Sequence, residues 1–171
     1  MDNELENMGV SNNQPLYLYQ QPMFDITVSV VLINENGVIL LEKEPIIEPC
    51  PVGDRPPDIF KHYSFPSGRV KAGQETIQFA AVRHVKEQTG FRLNKEVLIP
   101  VDFRSSPERS KEGNVVDIGM VCTITGSTIN AKWIAVDFER KCLLEPADKR
   151  FYMDHDVLLE RAIDVMLMLK E

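Results

Sequence analysis

The chain has few cysteines, no surplus of basic residues and no long apolar run, and each shortage removes a class of protein. Cys50, Cys122 and Cys142 are scattered through 171 residues without a CxxC pair. That spacing offers neither a disulfide framework nor a metal-ligand pattern, and it points to reduced thiols in a cytoplasmic setting. Lys and Arg total 19 against 26 Asp and Glu, which leaves a net charge of −7 and a pI near 5.1. A basic face of the kind that binds nucleic acid or an anionic membrane is therefore not expected, although a nucleotide needs only a local basic patch. No apolar stretch approaches the roughly 20 residues of a membrane span. The opening MDNELENMGVSNNQ lacks the basic start and apolar stretch of a signal peptide. No internal repeat appears.

What is present reads as one globular domain preceded by an arm. The hydrophobic share is 43% and the charged share 26%, both ordinary for a folded domain of this length. Residues 1–22 form a flexible N-terminal arm in which Leu16-Tyr17-Leu18-Tyr19 is the apolar patch, a candidate edge strand or dimer contact. Residues 23–171 form the domain. ITVSVVLI, after Phe24, is continuous and β-branched like a buried strand. Asn34-Glu35-Asn36-Gly37 supplies a hairpin turn and VILLEK the return strand. Five prolines between 44 and 61 then predict a long loop, either a lid beside a binding cleft or a surface insertion. Further strands are expected at Val97–Phe103, Val115–Thr125 and Trp133–Val136. A helix is expected from Asp154 to Lys170, with Leu158, Leu159, Ala162, Ile163, Met166 and Leu169 inward and Asp154 capping its first turn.

Residues 65–91, FPSGRVKAGQETIQFAAVRHVKEQTGF, carry the functional signal. A glycine-containing loop leads into a helix over 76–89 whose apolar stripe is Ile77, Ala80, Ala81 and Val85, with Gly90 as its stop. Residues three and four apart share a helix face, so His84, Glu87 and Gln88 point the same way.

This stretch resembles the Nudix box, G-x5-E-x7-R-E-U-x-E-E-x-G-U with U a bulky aliphatic, the signature of enzymes that cut nucleoside diphosphates linked to another group. Glu75, Arg83, Val85, Glu87 and Gly90 fall in register, and Phe91 takes the last apolar place. The opening glycine position falls on Arg69, with Gly68 one place early, so the loop holds an extra residue. His84 and Gln88 stand where the family has two of its three metal-binding carboxylates. The resemblance implies an α/β (α+β) fold, the Nudix-type α/β/α sandwich with a mixed sheet. It implies Mg or Mn at Glu87, Gln88 and His84, and a catalytic group of Glu87, Arg83 and Glu75. Magnesium takes oxygen ligands, usually one or two carboxylates with phosphate and water, and an imidazole suits it poorly. A pair of unit charges about 4 Å apart is worth roughly 4 kcal/mol at an effective dielectric of 20, so losing two carboxylates removes most of the attraction.

Downstream, residues 101–121 are similar to a segment of the ADP-ribose pyrophosphatase branch, and residues 151–166 to its closing helix. The resemblance implies ligand contacts from Gly68, Arg69, Phe103, Arg104 and Arg109, and a small-molecule nucleotide as partner, with a homodimer as a further possibility. Two functions stay open. One is a degenerate domain that holds an ADP-ribose-like nucleotide without cutting it efficiently. The other is an active divalent-metal hydrolase in which Glu139 or Glu145 activates water.

Overall fold

A computed structural model describes residues 24–35, 37–48, 58–105, 115–125, 132–144, 149–151 and 154–169. The expected N-terminal arm, Arg109 and Glu145 lie outside the described residues. Strand β1 (Asp25–Asn34) is the centre of a mixed sheet. It runs parallel to β6 (Val115–Thr123) along nine residue pairs, from Asp25↔Val115 to Ile33↔Thr123. Its other edge is shared. β4 (Ser67–Arg69) pairs with its first half, and β2 (Gly37–Glu48) meets its end through the hairpin. β5 (Ile99–Arg104) lies antiparallel outside β6. β3 (Asp58–Ser64) pairs with β2, and β10 (Lys149–Phe151) lies parallel beside β3. β7 (Lys132–Ile134) joins the start of β2, while β8 (Val136–Asp137) and β9 (Cys142–Leu143) form a small separate ribbon.

One helix packs on each face. Val28, Val30 and Leu32 of β1 enter a core with Ala80, Ala81 and Val85 of α1 (Ile77–Thr89). The alternate residues Val31 and Ile33 enter a second core with Leu158, Leu159, Ala162 and Ile163 of α2 (His155–Met168). This two-sided burial is why ITVSVVLI shows no polar alternation. The arrangement is the expected α/β/α sandwich with a mixed sheet. Among the described residues, no helix is long and apolar enough to cross a membrane.

Four expectations are corrected. The loop of 44–61 is shorter, because Ile46–Glu48 pairs with Asp58–Phe60. The register jumps from Lys43↔His62 to Ile46↔Phe60, one extra residue on β2. Pro45 falls inside that bulge, where its missing N–H costs no ladder bond. The Val97–Phe103 strand begins later: Lys95–Val97 is a 3-10 turn and β5 starts at Ile99. Leu169 is not inward but 60% exposed, beyond the last turn of α2.

The fourth correction concerns Asp154. It stands before α2, yet its side chain makes no capping bond. Its carboxylate lies 2.9 Å from Arg104 Nη1 instead, and the same nitrogen donates to the Asp154 carbonyl. Arg104 Nη2 donates to Asp117 Oδ2 at 2.9 Å. The other Asp117 oxygen accepts from Thr27 Oγ1 at 2.7 Å and from Ser29 Oγ at 3.0 Å. His155, also buried, accepts the Phe65 N–H at Nδ1, 3.0 Å away, so that nitrogen carries no proton. Its ring stacks on Phe65 with centroids 5.5 Å apart. A buried charge cluster thus ties β1, β5 and β6 to the start of α2.

Breaking such a pair leaves an uncompensated buried charge, which costs about 3–5 kcal/mol. Urea unfolding of Asp117→Ala is expected to show a loss of that order. A loss below about 1 kcal/mol, the level of an exposed ion pair, would mean that Arg104 finds other partners.

Candidate functional site

The candidate site is built where β4 leaves the sheet and α1 begins. β4 is held on β1 by the pairs Thr27↔Arg69, Val28↔Gly68 and Ser29↔Ser67, and Val70 N–H donates to the Ile26 carbonyl at 2.8 Å. The chain then turns through Gly73 (φ 72) into α1. Thr76 is the N-cap, accepting from Phe79 N–H at 3.3 Å. Gly90 ends the helix in the left-handed conformation, φ 79. Ala80 and Ala81 are small enough to seat α1 close on β1, so the opposite face of the helix carries the polar side chains.

Arg83 grips the loop. Its Nε and Nη2 reach both oxygens of Glu75 at 2.9 and 2.5 Å, and Nη2 also donates to the Arg69 carbonyl at 3.2 Å. Planar two-point pairing of this kind is the strongest form of an Arg–carboxylate bond. The Lys71 N–H donates to Glu75 as well, at 2.9 Å. The Arg83 hydrogen bonds, with this N–H behind them, hold the Glu75 carboxyl well below its ordinary 4.5, at about 2.

His84, Glu87 and Gln88 share one face, but each is differently engaged. Gln88 is paired twice with the backbone of Ser67: Oε1 accepts the Ser67 N–H at 3.0 Å and Nε2 donates to the Ser67 carbonyl at 2.8 Å. His84 Nε2 lies 3.0 Å from the Arg69 carbonyl. An acceptor there requires Nε2 to carry the proton. Glu87 is half-exposed, 3.4 Å from Arg83 Nη1 and 3.7 Å from His84 Nδ1. Among the described residues, no three His, Cys, Asp or Glu side chains cluster as a metal-ligand set.

Gly68 is part of this arrangement. A Cβ built on it would stand 2.2 Å from Cε1 of the His84 ring. The ring therefore lies against bare backbone, and a glycine is needed for His84 to reach the Arg69 carbonyl. The dependence of residue 68 on residue 84, sixteen positions away, has no signal in the sequence.

The other expected ligand contacts are spread out. Arg69 is exposed and bonded to Asp25 at 3.1 Å. Phe103 is 69% exposed on β5. Arg104 is enclosed, its guanidinium occupied by Asp117 and Asp154. Glu139 is exposed on the β8–β9 turn, its N–H donating to Asp137 Oδ1 at 3.0 Å.

The family model described as NUDIX domain matches residues 23–152. An ADP-ribose pyrophosphatase from Methanocaldococcus jannaschii is 35% identical over 115 residues, which are 67% of this chain and 58% of that protein. The match thus spans little more than half of the relative's length. Among solved structures, a MutT/nudix family protein from Enterococcus faecalis superposes with a TM-score of 0.61 at 20% identity, covering 89% of this chain and 67% of the other. The NUDIX domain of Shewanella oneidensis NrtR, in its complex with ADP ribose, gives 0.57 at 16% identity over 88% and 96%. At such identities the likeness is one of fold.

Two outcomes are expected of this geometry. Gly68→Ala and His84→Ala should be strongly non-additive in thermal unfolding. The added methyl is tolerated only once the ring is gone, whereas additive effects would show that the ring has room to move aside. The Glu75–Arg83 pair should also make stability sensitive to acid. The folded-state pKa of Glu75 is depressed, so the contribution is full above about 4.5 and is lost as the pH falls toward about 2. Denaturation of the wild type against Glu75→Gln should show their difference shrinking across that window; a constant difference would contradict it.

Proposed function

The chain belongs to the Nudix family, and on that premise we propose that it binds a nucleoside diphosphate linked to another group, of the ADP-ribose type, with phosphoanhydride hydrolysis weak or lost. The observation that carries this reading is the pair of hydrogen bonds between Gln88 and the Ser67 backbone. Only a carboxamide offers both a donor and an acceptor there; a glutamate would face the Ser67 carbonyl with a second acceptor. Position 88 is thus specialised for holding α1 to β4, and its oxygen is already committed.

Nudix hydrolases generally use divalent metals such as Mg or Mn. The donor set here does not fit a resident ion of that kind. His84 is turned to the Arg69 carbonyl, Gln88 to Ser67, and Glu87 alone offers a carboxylate, already beside the Arg83 guanidinium. Hard cations of this type need several oxygen ligands. In the same reading Arg83 and Glu75 fix the loop that faces the ligand, Arg69, Phe103 and Arg109 are candidate contacts, and Arg104 is a structural tie. Gly68 acts by letting His84 lie on the backbone. Self-association as a dimer is supported by the exposed Phe24, Ile26 and Phe103 toward one end of the sheet. A reducing cytoplasmic setting suits the free thiols Cys122 and Cys142.

A second reading, an active metal-dependent pyrophosphohydrolase, is favoured by one observation. The Glu87 side chain is 55% exposed, open to an ion arriving with substrate phosphates.

Calorimetry with ADP-ribose in EDTA and in Mg or Mn, with chromatography of the products, separates the two. The expected outcome is binding that persists in EDTA and no AMP. AMP formed in metal and abolished by Glu87→Gln would establish the hydrolase, and the absence of any binding would remove both readings for this ligand.

A further inference from the structure

β3 leads directly into the site and carries two buried polar side chains that the box does not use. His62 is 9% exposed and Ser64 fully buried. Among the described residues, neither ring nitrogen of His62 nor the Ser64 hydroxyl has a hydrogen-bond partner. Buried polar groups are almost always paired, and an orphaned one is unfavourable to keep unless something else satisfies it.

The two residues share one face of the strand. Tyr63 and Phe65 enter the core beneath α2, and side chains alternate along a strand, so His62 and Ser64 point to the opposite side. Ser64 is the cross-strand partner of Leu41, and partners share a face. Two residues earlier on β2, Ile39 packs into the core beneath α1. The orphaned pair therefore continues the α1 side of the sheet. Ser64 stands only three residues before Ser67, the backbone that Gln88 grips.

The chemistry of the pair narrows what it could meet. A neutral imidazole has one donor and one acceptor nitrogen, and a serine hydroxyl can do either. Phosphate is recognised mainly by cations and charge-assisted bonds. An uncharged donor–acceptor pair suits instead an uncharged planar edge with a donor beside an acceptor, as adenine presents with its 6-amino group and N7. We propose that His62 and Ser64 are specificity-determining residues that read the base edge of the bound nucleotide. This rests on the cleft beside the box being a nucleotide site.

The test compares ADP-ribose with its inosine counterpart, in which a carbonyl replaces the 6-amino group. Calorimetry is run on the wild type, His62→Leu and Ser64→Ala, with thermal unfolding of each protein without ligand. The wild type should prefer ADP-ribose by about tenfold or more, a loss in the range expected for one mismatched base contact. Each variant should lose about tenfold toward ADP-ribose and show a narrowed preference. Without ligand the variants should melt at the same temperature as the wild type or higher, because they no longer bury an orphaned group. A variant that keeps both affinity and preference overturns the proposal. So does a lower melting temperature, which would mean the polar atoms are satisfied within the fold. Wild-type binding of both nucleotides with equal affinity overturns the base-edge assignment while leaving the nucleotide site standing. Binding of neither removes the nucleotide reading, and this proposal with it.

Discussion

Strand β1 is enclosed on both faces and along both edges, and most of the molecule is placed by that enclosure. Its parallel pairing with β6 runs the full length of β6 and takes in all of β1 but Asn34. Its two faces separate the cores, with Val28, Val30 and Leu32 toward α1 and Val31 and Ile33 toward α2. The half-edge that β2 leaves free is taken by β4. That places Ser67, Gly68 and Arg69 beside the strand and under the polar residues of α1. A shift of β1 by one residue would exchange the two cores and carry the site with them.

The same strand also accommodates charge. Thr27 and Ser29 turn their hydroxyls to Asp117 on β6, and Arg104 on β5 closes the cluster against Asp154. A buried ion pair of this kind is weak evidence for net stability, since desolvation offsets much of its attraction. Its geometry does something a purely apolar contact could not, because it fixes where the chain enters α2. His155 then lies flat on Phe65 and accepts its N–H. Phe65 is two residues from Ser67, so the start of α2 supports the entry to the site from the far side of the sheet.

At the site, polar bonds to backbone stand where the family pattern places acidic side chains. His84 and Gln88 both point into β4 and bond its carbonyls, and Arg83 does the same while gripping Glu75. The helix is therefore clamped to the strand by neutral and cationic donors instead of presenting an acidic face to a cation. The helix expected over 76–89 and its stop at Gly90 were legible from local periodicity and capping chemistry, and the α/β/α sandwich with a mixed sheet from the resemblance to the family. The β2–β3 pairing past Lys43 was hidden by prolines that read as loop, of which Pro45 proved to sit at a bulge. Arg104 was an expected ligand contact by resemblance, and its burial against Asp117 and Asp154 depends on segments far apart in the chain.

From the residues alone came the family resemblance, the box helix and the two substitutions at 84 and 88, since spacing along a helix decides which side chains share a face. Only the folded chain decided what those two residues do. Gln88 meets both backbone groups of Ser67, and His84 lies against a glycine sixteen residues earlier. The same holds for Asp154, whose sequence position suggests a cap and whose carboxylate goes to Arg104, and for His62 and Ser64, whose polar atoms meet no partner among the described residues. Local sequence sets the direction a side chain leaves the backbone, but its partner is set by which distant strand or loop arrives there. In this molecule that was fixed by the burial of β1 between two helices.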